Sequence, residues 1–480
     1  MTNLERLSAL DTAAAIRAGE VSAVEVTDAA LRRAEQLGPA VGAFAFLAPE
    51  RALAEARAVD AAVARGEADG LPLAGVPCPI KDLHPVAGVG FEAGSAAMRG
   101  TVAEVDDGIV EWLRDAGTVM LGKTATPEFG FPCYTEPDGR PPARTPWDLT
   151  RSAGGSSGGA AAAVAAGIVP LAQASDGGGS IRIPAAACGL VGLKPSRGRI
   201  SPGPFFVPGP GLATAGVLSR TVADTAVALD VLASPRVGDT YYAPPPSGSF
   251  LAATRKRPTG LRIGVLTTTV IAEAEVHPAC LDAVGAAGAL LTRLGHHLDE
   301  APVPFPVERW DAFMALWSMG AVMLPLPEEA EPLLTPLTRW LREQGRRVTT
   351  LDYAAALGDL QRLTREVALA WQGFDLVLTP TLAQPPARVG ELRDDSDPAA
   401  DFAAQTRFTP WTSVYNLSGL PAISLPLHTA VVDGARLPIG VMLGGRFGAE
   451  ELLLAVAAEL EEAAGGWQQF APWQQGVVPA

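Results

Sequence analysis

Through its first 65 residues the chain spaces apolar positions three and four apart, the period of amphipathic helices. Ser8 with Asp11, and Ser22 with Glu25, stand at the heads of two such runs as capping boxes, while Gly19 and Gly38 read as their stops. A third run covers Pro49 to Arg65. These define an expected all-helical arm, residues 1–67, without clustered polar chemistry and suited to packing or an oligomer contact. From Leu71 the pattern changes to short apolar runs punctuated by glycine and proline. It predicts a strand and turn around Pro79-Ile80-Lys81-Asp82, a helix over 107–116 closed by Gly117, and a strand over Thr118–Leu121. A small-residue helix over Gly158–Ala166 and an apolar strand from Ile168 to Ala174, ending at Asp176, come next. Farther on, Leu261–Leu266 and Phe374–Thr379 read as strands, 279–295 and 332–372 as helices, and 236–260 as a surface connection. Phe408–Leu427 and Pro438–Leu443 read as the closing strands. Strands mixed with helices in this order predict one large α/β/α domain, a central mixed sheet flanked by helices, over residues 68–480.

Composition narrows the class. Hydrophobic residues make up 48% of 480 positions, enough for a large core, and 51 glycines with 42 prolines signal many turns. A net charge of −15 argues against nucleic-acid or anionic-membrane partners, which need basic patches. The first residues, MTNLERLSALD, have no basic and apolar leader pattern, and no stretch reaches the ~18 apolar residues of a span, so a cytoplasmic protein is expected. Four scattered cysteines, Cys78, Cys133, Cys188 and Cys280, suggest buried thiols instead of a zinc site or disulfide framework. Cys133, beside a glycine-rich turn, is the one placed to touch a pocket.

The chemistry concentrates in residues 152–184, where Ser156 and Ser180 are embedded in glycine. Three side-chain-free residues, Gly177, Gly178 and Gly179, precede Ser180 and leave backbone N–H groups free to converge on one oxyanion. A serine there needs a base. Gly154-Gly155-Ser156-Ser157-Gly158 fits a nucleophile elbow, but that fold requires a later acid and histidine. His277 reads as a helix start, His296 and His297 as a turn, and His428 as following a strand; none lies in a catalytic-looking turn. Gly117 to Thr124 spells a P-loop, yet its intervening residues read as a strand, the wrong context for phosphate binding. A lysine is by default a solvated surface group, but a buried one loses its charge and becomes a base, which makes Lys81 the economical choice. His84 is read as its neighbour, not a catalyst.

Taken together, Lys81, the Gly-Gly-Ser-Ser-Gly-Gly of 154–159, and Asp176 to Pro184 with Gly192-Leu193-Lys194-Pro195 resemble the amidase signature family. The resemblance extends through Gly75-Val76-Pro77, Gly122-Lys123-Thr124, Thr126 to Gly130, Asn416 to Ser424 and Leu437 to Val441, with a core motif over 75–204. It implies a Ser-Ser-Lys triad: Ser180 as nucleophile, Ser156 relaying its proton across a cis peptide, and neutral Lys81 as base. It further implies an oxyanion hole from the N–H groups of Gly177, Gly178, Gly179 and Ser180, with Ser157, Asp176 and Arg182 in support. Glycine at 177 departs from the threonine or isoleucine common in the family, so a looser loop or a roomier pocket is expected there. Ser196 to Pro204 resembles members that hydrolyse cyclic and linear amides, including 6-aminohexanoate cyclic-dimer hydrolases.

In Trp310–Leu324, two tryptophans and three methionines read mainly as core, with Trp317 a substrate-lining candidate alongside Phe129, Gly130 and Phe131. The expected activity is hydrolysis of a small, uncharged carboxamide, extending to esters or carbamates, without metal or organic cofactor. The resemblance also suggests a homodimer. A glutaminase subunit of a tRNA-dependent amidotransferase, or an inactive binding module, are the rival readings.

Overall fold

Side chains along a strand alternate between the two faces of its sheet, and here that alternation sorts the helices into layers. The computed structural model describes residues 4–207 and 209–467; residues 468–480 of the expected catalytic region lie outside them. A small sheet runs in the order β1 (Phe44–Leu47), β3 (Gly122–Thr124), β2 (Ile80–Lys81). The large sheet comprises β4 (Leu171–Asp176), β5 (Val191–Lys194), β6 (Thr214–Ser219), β7 (Arg262–Val265), β8 (His297–Glu300), β9 (Leu376–Pro380), β10 (Ala422–Val432) and β11 (Ala435–Gly445). Its order is β4-β6-β5-β10-β11-β9-β7-β8. All pairs from β4 to β9 are antiparallel, and β9, β7 and β8 are parallel, so the sheet is mixed as expected.

On one face Leu171, Leu376, Leu378, Ile423, Leu425, Val441 and Leu443 join the helices Val222–Leu232, Pro278–Arg293 and Glu450–Ala463 in one core. Each fully buried Leu or Ile there stabilises the fold by ~1.5–3 kcal/mol. Their neighbours along the strands, Ala172 and Ala174, face the helix Gly158–Ala165, and Val377, Ala422 and Met442 join an aromatic core with Trp310, Phe313, Trp411 and Tyr415. Every residue of Gly158–Ala165 is buried. Alanine suits it because the backbone can approach the sheet closely while little side-chain entropy is lost.

Several sequence expectations shift in the structure. The arm is not all-helical, because β1 follows its second helix and pairs antiparallel with β3. That helix, Ala23–Val41, runs past Gly38 and ends at left-handed Gly42, φ 60°, where a Cβ would fall 2.1 Å from Pro142 O. Thr118–Leu121 forms only a single bridge, Val119 to Pro77, since the partner strands flank Gly122–Thr124 instead. Thr412–Ser418 is a helix capped by left-handed Gly419, where a strand was expected. His428 lies within β10. Among the described residues no helix is long and apolar enough to cross a membrane.

Candidate active site

Two small-residue helices set the positions of the two serines. Ser156 lies just before Gly158–Ala165, and Ser180 just before Arg182–Cys188, at the end of β4. The segments are tied together by Ser157, whose N–H donates to Ser180 O at 3.3 Å and whose hydroxyl donates to Ser175 O at 3.2 Å. The Gly155–Ser156 peptide is cis. Glycine is required at 155, since a Cβ would stand 2.6 Å from Tyr134 N.

Lys81 ends β2 and is fully buried. Its Nζ lies 2.8 Å from Ser156 Oγ, 3.1 Å from Ser175 Oγ and 3.4 Å from Ser175 O, while its backbone N–H donates to Gln173 Oε1 at 3.0 Å. Burial brings the ammonium down to about 7 from 10.5, with only the charge of Asp176 opposing. The neutral form is therefore accessible near neutral pH, and a neutral amine can accept the Ser156 proton.

Ser180 is 7% exposed and opens into a narrow cleft, and its Oγ has no hydrogen-bond partner among the described residues. None of the N–H groups of Gly177, Gly178, Gly179 and Ser180 donates to a described protein acceptor, so the four remain available to an oxyanion. Gly179, at φ 141°, could carry no Cβ without meeting Thr412 and Ile183.

Behind the loop, Arg182 grips Asp176 through two hydrogen bonds of 2.9 Å, with both side chains fully buried. Burial alone would raise the Asp176 carboxyl, but Arg182, Lys194 and Asn416 outweigh it and hold the group at about 2. Asn416 bonds to both members of the pair, and Arg182 Nη1 donates to Thr412 O at 2.8 Å. Ser175, Thr412 and Asn416 were not singled out in the sequence. Ser175 carried a signal, next to Asp176 at the edge of the glycine-rich stretch, and Asn416 opens one of the motifs of the family resemblance; Thr412, 230 residues from Arg182, carried none.

The cleft, ≈ 50 Å³, is lined by Phe131, Trp310, Phe313, Trp317 and Phe402 together with Gly178, Ser180 and Ile183. Cys133 also reaches it, as its position suggested, with burial pushing the thiol well up. Phe129 and Gly130 do not line it. Gly130 instead packs against Ser156, where a Cβ would sit 3.2 Å from Oγ, and Phe129 donates its N–H to Ala93 O. Apart from Ser180 Oγ, the cleft's polar side chains are engaged internally: Ser413 Oγ accepts from Trp310 Nε1, Thr409 donates to Gln405 O, Thr406 donates to Ala403 O, and Gln405 joins Cys133 N to Asp401. No charged side chain lines it. A larger cavity, ≈ 320 Å³, around Trp371, Phe374, Gly444 and Phe447, is lined by none of Lys81, Ser156 and Ser180.

The P-loop pattern is likewise absorbed into structure. Lys123 lies within β3, buried and 2.7 Å from Asp82 Oδ1. Burial drives both members of this pair toward their neutral forms, the lysine downward and the carboxyl upward.

Residues 25–454 match the family model described as Amidase. A putative amidase of a Synechocystis species is 38% identical over 469 residues, covering 96% of this chain and 89% of that protein. The 6-aminohexanoate-cyclic-dimer hydrolase of Paenarthrobacter ureafaciens is 36% identical, with 93% of each chain covered. A solved structure of 6-aminohexanoate cyclic dimer hydrolase superposes with a TM-score of 0.89 at 33% identity, covering 98% of this chain and 99% of that one.

Proposed function

The chain belongs to the amidase family, and from that premise we propose that it hydrolyses small, uncharged linear or cyclic amides through an acyl-enzyme on Ser180. The observation that carries this reading is the pairing of buried Lys81 with Ser156, 2.8 Å apart, beside a loop whose N–H groups are free.

Ser180 Oγ attacks the carbonyl carbon while its proton passes to Ser156 Oγ, whose own proton moves to the lone pair of neutral Lys81. The carbonyl oxygen takes up the electron pair and is held by the N–H groups of Gly177 to Ser180, where one lost donor typically costs about 100-fold or more in rate. Collapse breaks the C–N bond, and the proton returns along the same path to the leaving nitrogen. Water, deprotonated by the same relay, then cleaves the ester. The leg between Ser180 and Ser156 forms with substrate in place, as hydrogen bonds to nucleophiles often do.

A cleft with no charged lining favours an uncharged group over the zwitterionic end of free glutamine, which would need ionic partners once desolvated. Esters of similar shape can use the same machinery. Steady-state hydrolysis of hexanamide, a cyclic diamide and glutamine tests the assignment. Turnover of the first two above glutamine supports it, and turnover of glutamine alone contradicts it.

A further inference from the structure

The space expected beside Gly177 is not empty. A Cβ built on Gly177 would meet the Trp317 indole at 3.1 and 3.2 Å, closer than unstrained carbon contacts, whereas the next neighbour, Ala213 Cβ, is 3.8 Å away. The indole has little freedom to retreat. It stacks on Phe313 with centroids 5.1 Å apart and a 21° tilt, and Phe131 abuts it edge to face at 5.5 Å and 82°. Phe313 continues the wall, 3.5 Å from a Cβ position on Gly178. The helix Asp311–Val322 thus lays two stacked rings directly over the first two residues of the loop that ends in Ser180.

We propose that Gly177 and Trp317 form a matched pair that determines specificity: the ring takes the volume a residue-177 side chain would fill and narrows the cleft beside the nucleophile to slim, unbranched substrate groups. This rests on the amidase reading above and adds what selects the substrate. Three observations carry it. The contact lies at the loop itself, so the ring's position sets how near a substituent can come to the scissile carbonyl. The room left is ≈ 50 Å³, far below the ~300 Å³ or more of ordinary ligand pockets. Finally, Gly177 has no left-handed φ, and around its Cβ position only the indole stands closer than ordinary van der Waals contact.

The pair makes a double-mutant cycle decisive. The four proteins are the parent, Gly177→Thr, Trp317→Ala and the double variant. Each is assayed with hexanamide and its branched relative 3,3-dimethylbutanamide, and labelled in parallel with an ethyl fluorophosphonate. The parent is expected to favour the linear amide by about tenfold or more, the range one badly placed methyl group commands. Trp317→Ala should bring that preference below about threefold by raising the branched rate. Gly177→Thr alone should lose about tenfold or more in kcat/KM, and the double variant should recover most of it. Additive effects, or a linear-to-branched ratio unmoved by Trp317→Ala, would overturn the pairing while the labelled parent left the Ser180 chemistry standing. A parent that neither labels nor turns over either amide would instead sink the underlying reading, and the pairing with it.

Discussion

Lys81 Nζ and Ser156 Oγ lie 2.8 Å apart with water shut out, the lysine fully buried and the serine 2% exposed. Desolvation favours the neutral amine over the ammonium, so in the proposed relay its titration should govern the pH profile. With the lysine lowered to about 7, the neutral form is lost as pH falls through that value, and kcat/KM should drop about tenfold per unit below it. Rates measured from pH 5 to 9 should rise to a plateau above about 8. A profile flat from pH 5 to 9 would contradict it.

Removing the base outright should cost more. Lys81→Ala is expected to lower kcat by about 10²–10⁴-fold, the usual contribution of a positioned base. Lys81→Arg should not rescue it, because a guanidinium stays protonated and has no lone pair to accept the Ser156 proton. Stopped assays on both variants, with thermal melts to show intact folds, check this.

The Asp176–Arg182 pair stands fully buried, and breaking one partner leaves an uncompensated charge. Arg182→Leu should cost ~3–5 kcal/mol by urea denaturation. The carboxyl is held at about 2 against an ordinary 3.8, so its contribution is complete above 3.8 and lost as pH falls toward 2. That acid limb should weaken in Arg182→Leu.

Glycine at 155 is a steric requirement, because the atoms a Cβ would meet belong to the backbone of Cys133 and Tyr134 at 2.6–2.7 Å and cannot swing aside. Gly155→Ala should destabilise by ~1–3 kcal/mol and displace Ser156, lowering kcat with it. A fully active, equally stable variant would show the segment to be more yielding than its packing indicates.

All four cysteines are free and buried, with burial raising Cys78, Cys188 and Cys280 to about 12 and Cys133 further. An aromatic disulfide reagent should find no fast-reacting thiol in the native protein and four after denaturation.

Much of this was legible in the chain because local signals and tertiary demands agree. Ser8 and Ser22 cap their helices as their spacing suggested, and Gly177 to Ser180 follow directly on a strand end with their N–H groups undonated among the described residues. Expectations failed where long-range partners decide. Phe44–Leu47 is too short to show alternation and becomes a strand only by pairing with Gly122–Thr124. Thr412–Ser418, which includes the strand-favouring Thr412, Val414 and Tyr415, is helical, and Arg182 donates to both Thr412 O and Asn416 Oδ1 of that helix. The room forecast beside Gly177 is filled by Trp317, some 140 residues distant, a contact no local pattern could announce.

The central claim, that Ser180 is an activated nucleophile, is tested most directly by intact mass spectrometry of the parent and of Ser180→Ala after exposure to a fluorophosphonate. One adduct on the parent, absent from the variant, is the predicted result. An adduct that persists in Ser180→Ala, or a parent left unlabelled, would contradict it.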